Sequence, residues 1–215
     1  MLDVQTPHGL ARVRLQPDDG AFSGETVGRR LALVLGHGAG GGIGSPDVRA
    51  TTEAALALGL RVALVEQPYR VAGRRSPPPA RQLDTAWLAV VEALGAGPLT
   101  DCRLVVGGRS SGARVACRTA ERVGAAGVLC LAFPLLPPSA RHGDASKSRL
   151  AELEAVPRSI PVLVVQGERD PFGMVPPGEN RSIVPIPGTH TLSSARAVRG
   201  AVSPWLAVLA AAIGG

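Results

Sequence analysis

The chain has 215 residues, 45% of them hydrophobic and 19% charged, which is enough for one sizeable core and too little for two ordinary domains. This apolar content argues against low-complexity disorder, and 27 Gly and 19 Pro predict many turns. The net charge of +6 could signal a phosphate-bearing partner, yet only Lys147 of the 23 basic residues is a lysine, and the arginines are scattered without a basic helix or interleaved aromatics, so no nucleic-acid partner is expected.

In chain order, residues 1–19 lack a basic region followed by an apolar core and a small-residue cleavage site, so no secretory signal is read and the expected location is the cytoplasm. Short strands at Leu2 to Thr6 and Leu10 to Leu15 flank a Pro7-His8-Gly9 turn, as in an antiparallel hairpin. Six runs then lack polar alternation: 31–35, 61–65, 103–107, 127–132, 161–166 and 182–186. They read as strands covered on both faces. Helices are expected from Ser45-Pro46 to Leu58-Gly59, then over about 79–94, 111–123, 149–156 and 194–213. Residues 1–215 therefore read as a single α/β domain: a mostly parallel sheet with an N-terminal antiparallel hairpin, helices on both faces, and ligands at the carboxyl ends of strands. The nearly uncharged run 204–215 has 12 residues against the roughly 20 that a spanning helix needs, so no membrane span is expected. Cys102, Cys117 and Cys130 show neither a CxxC pair nor metal-ligand spacing, which argues against a disulfide framework or a zinc site.

Two glycine motifs compete. Gly36-His37-Gly38-Ala39-Gly40-Gly41 matches a dinucleotide fingerprint after the strand 31–35, with Glu66 where a ribose-binding acid would sit. The expected helix start at Ser45-Pro46 lies beyond the motif, however, which would displace its amides from a pyrophosphate. Gly108-Arg109-Ser110-Ser111-Gly112 is a GxSxG placed between a strand and a helix, the setting of a nucleophile elbow. Its partners follow in the required order: Asp170 after the strand 161–166, then His190 after the strand 182–186. In this reading Ser110 is the nucleophile, His190 the base and Asp170 the residue that orients it. The amides of Ala39 and Ser111 would form the oxyanion hole, and the glycines around Ala39 would let the backbone approach a substrate. Ser111 as a rival nucleophile lacks flanking glycines at two residues on either side, and His37 fits a brace for its loop better than a base. Arg109, Arg70, Arg74 and Arg75 lie near strand ends and are candidates for contacts to an anionic substrate. Trp87 and Trp205 read as core packing, and His8 and His142 receive no role.

On these residues the chain resembles an α/β-hydrolase, and more narrowly the small dienelactone-hydrolase-related family that includes bacterial predicted hydrolases and testis-expressed protein 30. The resemblance runs from residue 31 to 192 and is carried by residues 37–41, 107–114, 133–135, 166–173 and 188–192. It implies a serine hydrolase acting on a small-molecule ester, thioester or lactone through an acyl-enzyme, with no cofactor. Glu66 departs from the family's apolar or aromatic residue at that place. A family relative is a subunit of a chromatin-modifying complex, so the resemblance is also compatible with a non-catalytic interaction subunit and a protein partner. The segment Leu135 to Ile160, where relatives insert a lid, has room for one short helix, which predicts an open site.

Overall fold

The computed structural model describes residues 1–17, 31–137 and 147–214. His142, and the part of the lid segment at 138–146, lie outside the described residues. Eight strands form one sheet: β1 (Leu2–Thr6), β2 (Gly9–Gln16), β3 (Leu31–Gly36), β4 (Arg61–Glu66), β5 (Arg103–Arg109), β6 (Gly127–Leu131), β7 (Val162–Gly167) and β8 (Arg181–Ile186), in the order β1-β2-β4-β3-β5-β6-β7-β8. β2 is antiparallel to both β1 and β4, and every other pairing is parallel. The helices are α1 (Pro46–Ala57), α2 (Pro68–Val71), α3 (Ala80–Gly95), α4 (Ser111–Thr119), α5 (Leu150–Glu154) and α6 (Ala195–Gly214). The α/β-hydrolase architecture expected from the sequence is present, and α2 is the helix that the periodicity did not show.

The unbroken apolar runs have a simple cause: alternate residues enter opposite layers. Ala32 and Val34 of β3, with Val106 of β5 and Val164 of β7, pack under Trp87 of α3, Val115 of α4 and Leu153 of α5. Leu31, Leu33 and Leu35, with Val105 and Leu163, face α1 and α6 on the other side. Trp87 is a core residue, and half-buried Trp205 of α6 packs over Gly127. Cys117 of α4 and Cys130 of β6 are free thiols inside the first layer, with their sulfurs 3.5 Å apart.

Two expectations need correction. β8 is not covered on both faces: it is the sheet's edge, partly exposed along most of its length, and Pro185 sits where a missing amide hydrogen is tolerated. The 12-residue limit on apolar length also understated α6, because residues 195–213 carry only two charges, Arg196 and Arg199, and are long and apolar enough to cross a membrane by length and composition. In this fold α6 buries Val198, Val202, Leu206 and Ala210, a stripe at four-residue spacing, against the sheet layer that it shares with α1.

Candidate active site

The carboxyl ends of β5, β7 and β8 bring three distant side chains together. Ser110 joins β5 to α4 with φ 52° and ψ −109°, a left-handed conformation that costs a non-glycine residue about 1–3 kcal/mol. Its Oγ lies 2.9 Å from His190 Nε2, and His190 Nδ1 lies 2.9 Å from Asp170 Oδ2. Asp170 is buried, and donors converge on both of its oxygens: the Phe172 amide donates to Oδ1 at 2.9 Å, and Gln166 Nε2 donates to Oδ2 at 2.6 Å. With acceptors alone on the Asp170 side, the imidazole proton belongs on Nδ1, which leaves Nε2 free to accept from the serine hydroxyl. Phe172 packs against the imidazole edge to face, ring centres 4.4 Å apart at 77°. The three residues read as a triad from the sequence therefore meet in a hydrogen-bonded chain.

The elbow exists because three glycines allow backbones to touch. A Cβ on Gly108 would stand 2.6 Å from the Gly36 carbonyl oxygen, and one on Gly112 would stand 2.8 Å from the same oxygen. A Cβ on Gly107 would collide with the Leu129 carbonyl of β6. The Ser110 amide donates to Leu131 O at 2.9 Å, which ties the turn to the next strand. Ser111 opens α4, so its amide is among the first four of a helix that lack intrahelical partners. Its hydroxyl donates to His37 O at 3.4 Å, which occupies it away from nucleophilic work.

His37 braces the loop after β3, as its place in the sequence suggested. It is 3% exposed; Nδ1 donates to Gly38 O at 2.9 Å, and Nε2 accepts from the Gln67 amide at 3.1 Å. Burial pushes its pKa below the ordinary 6.5, and the Gly38 contact opposes this only in part. Tyr69 of α2 stacks at a tilt on the imidazole, ring centres 5.7 Å apart, and its hydroxyl donates to Ala39 O at 3.5 Å. α2 thus supports the same loop.

Of the four candidate arginines, Arg109 is committed within the fold. Its Nε donates to Asp47 Oδ2 at 2.9 Å and its Nη2 to His190 O at 3.3 Å. Asp47, in the first turn of α1, has a side chain only 2% exposed. Sequence reasoning missed Asp47, which lies 62 residues from its partner. It also missed Gln166, whose amide holds Asp170 and the Phe133 carbonyl; its signal was a polar residue inside the apolar run of β7. Arg70 donates to the Arg74 carbonyl at 3.5 Å, while Arg74 and Arg75 are exposed. Glu66 lies beside Gly42.

Two outcomes follow from the geometry. Arg109→Ala should lower the unfolding free energy by about 3–5 kcal/mol, because it leaves the Asp47 carboxylate buried without its cation, and Asp47→Asn in that background should recover part of the loss. Urea unfolding measures both, and equal stability of Arg109→Ala and the parent would show the pair to be dispensable. The second concerns His37. Its folded pKa is lowered, so the unfolded chain binds more protons between that value and 6.5. The stability contributed by neutral His37 is complete above about pH 6.5 and is lost as pH falls below it. The fall in urea midpoint from about pH 7 to 5 should be steeper in the parent than in His37→Gln, and parallel slopes would refute the assignment.

Comparisons with known proteins place the fold. A model of the alpha/beta hydrolase domain matches residues 29–185. No curated protein matches the chain. Among solved structures, a lidless α/β serine hydrolase from Xanthomonas campestris is 20% identical over 94% of this chain and 91% of its own, with a TM-score of 0.71. The esterase Est1E from Butyrivibrio proteoclasticus, solved with ferulic acid bound, is 18% identical over 98% of this chain and 100% of its own, with the same TM-score. An α/β serine hydrolase homologue from Coxiella burnetii is 16% identical over 99% of this chain and 96% of its own, with a TM-score of 0.66. At these identities the likeness is one of fold, and the family match, which spans most of the chain, makes it a member of the alpha/beta hydrolase domain family.

Proposed function

We propose that the chain is a serine hydrolase of the dienelactone-hydrolase-related type that cleaves a small ester, thioester or lactone through an acyl-enzyme. The observation that carries this reading is the Ser110–His190–Asp170 chain, with both links at 2.9 Å and the serine held at a positive φ. Ser110 Oγ attacks the acyl carbon as His190 Nε2 takes the hydroxyl proton. The Ala39 and Ser111 amides receive the oxyanion. Collapse of the tetrahedral adduct breaks the bond to the leaving group, which takes the proton from His190. Water, deprotonated by the same nitrogen, then attacks the acyl carbon; the bond to Ser110 Oγ breaks, the acid leaves, and Ser110 Oγ takes the proton back from His190. Asp170 keeps the imidazole in the reactive tautomer and stabilises its cation.

A fluorophosphonate should label Ser110 stoichiometrically, as read by mass mapping, and Asp170→Asn should keep the fold while losing about four orders of magnitude in turnover. Folded protein that takes no label, or label that survives Ser110→Ala, would favour a non-catalytic interaction subunit instead.

Between β6 and β7 the described residues hold one helix of five residues, α5, and the comparable X. campestris protein is a lidless serine hydrolase. A site with no cover beyond α5 among the described residues leaves a long acyl chain in water and forfeits the roughly 0.8 kcal/mol that each buried methylene would supply. Across p-nitrophenyl esters from acetate to palmitate, kcat/KM should peak between acetate and butyrate. A several-fold rise for every two methylenes beyond octanoate would reveal a deep apolar tunnel and overturn the small-substrate reading.

A further inference from the structure

A cavity of about 410 Å³ opens at the antiparallel end of the sheet, and none of Ser110, His190, Asp170, Ala39 or Ser111 lines it. Its walls come from the β1–β2 turn, α2 with the segment after it, and α3. Leu10, Tyr69 and Val71 are apolar groups of its lining; His8, Arg74 and Gln82 are polar ones. The volume lies within the range of small-molecule sites, and the mixture of apolar wall and few polar groups is the usual composition of one.

The described lining holds no carboxylate, and its one guanidinium is that of Arg74; Arg75 and Arg81 lie outside it. Arg74 and Arg75 are exposed, as is Arg81, which shares the adjoining cavity with His8 and Gln82. Among the described residues no carboxylate pairs with any of the three. The acids nearest in sequence are already engaged or turned elsewhere: Asp3 pairs with Arg12, Asp84 pairs with Arg118, and Glu66 stands beside Gly42. This contrasts with Arg109, Arg114 and Arg118, whose guanidinium groups all meet carboxylates. A cation beside an apolar cavity, with no counter-ion among the described residues, is suited to a ligand that brings its own anion. Arg binds a carboxylate through its planar fork, and the apolar wall takes the hydrocarbon attached to it.

We propose that this cavity is a binding site for a small amphiphilic monocarboxylate, such as an arylacetate, separate from the reacting serine. In the sheet β3 separates β4 from β5, so the cavity at the end of β4 stands about 10 Å or more from Ser110. Tyr69 connects the two places: it is a wall of the cavity, it packs on His37, and its hydroxyl meets the Ala39 carbonyl. Gln67 does the same through its amide, which donates to His37. A ligand seated here rests on the residues that hold the loop after β3.

The test is titration of the full chain with phenylacetate, followed by amide chemical shifts. Residues 8–10 and 67–76 should shift together and saturate at millimolar concentrations. Phenylacetamide, which keeps the shape and lacks the charge, should bind at least about tenfold more weakly, and exposed Arg74→Gln should cost about the same factor. Ser110→Ala should leave the titration unchanged, so the result does not depend on the catalytic reading. Absence of saturation, equal binding of acid and amide, indifference to Arg74→Gln, or shifts centred on Ser110 and His190 would each overturn the proposal.

Discussion

Ser110 occupies a backbone conformation that an L-residue adopts only when its surroundings leave no alternative. Here the surroundings are the contact of β3, β5 and the start of α4, where Gly36, Gly108 and Gly112 approach backbone to backbone. No side chain larger than hydrogen fits between them, so α4 can turn back over the sheet directly after the serine. The Ser110 amide is held by Leu131 O, and the Ser110 carbonyl accepts from the Arg114 amide at 3.3 Å. The same crowding carries the strain and aims the hydroxyl away from the strand, towards the imidazole. At the end of β6, Ala132 also takes a positive φ, and the next residue, Phe133, offers the carbonyl that Gln166 grips while it holds Asp170.

The reacting groups come from places far apart in the chain, and arginines fix the elements that carry them. Arg109 links α1, through Asp47, to the backbone of the His190 loop. Arg114 forms a two-pronged pair with Glu152, so α4 is tied to α5. Arg118 makes the equivalent pair with Asp84 of α3 and also reaches Glu152. These three pairs have side chains 15–22% exposed on the arginine side; in the Arg114 and Arg118 pairs a planar fork holds two carboxylate oxygens, and Arg109 spans a carboxylate and a carbonyl, which an ammonium would do less well. The use of arginine in place of lysine therefore has a structural consequence here. Helix α4, which begins beside the nucleophile, is clamped on both sides.

Most of the sheet was legible because β3 to β7 are buried on both faces, and burial writes itself as an unbroken apolar run. β8 was legible as a strand but not as an edge, since SIVPI is apolar enough for either place and neighbouring strands decide which one it takes. α2 was invisible for a different reason. Four residues are too short for a helical period, and Pro68 announces a turn as readily as a first helical residue. In the candidate site, Ser110, Asp170 and His190 could be picked out because each follows the end of a strand, in a fixed order. Asp47 left no trace, because its value lies in a partner 62 residues away, and Gln166 left only a polar residue in an apolar run, which does not say what it holds.

The competing glycine motif shows how a fold separates two chemistries that share a composition. A dinucleotide fingerprint works when helix amides point at the pyrophosphate and their partial positive charge is unspent. In this chain Pro46 opens α1 after the glycine loop has ended, and Asp47 already places a buried carboxylate in the first turn, with Arg109 beside it. A phosphate brought there would meet an anion of the same sign. The loop itself is drawn the other way, towards the sheet end that holds Ser110: a Cβ on Gly38 would stand 2.8 Å from Arg109 and 3.5 Å from Ser110 Cβ. Of its glycines, Gly38 makes this close approach to the serine turn, whereas a Cβ on Gly40 or Gly41 would meet nothing within 4 Å.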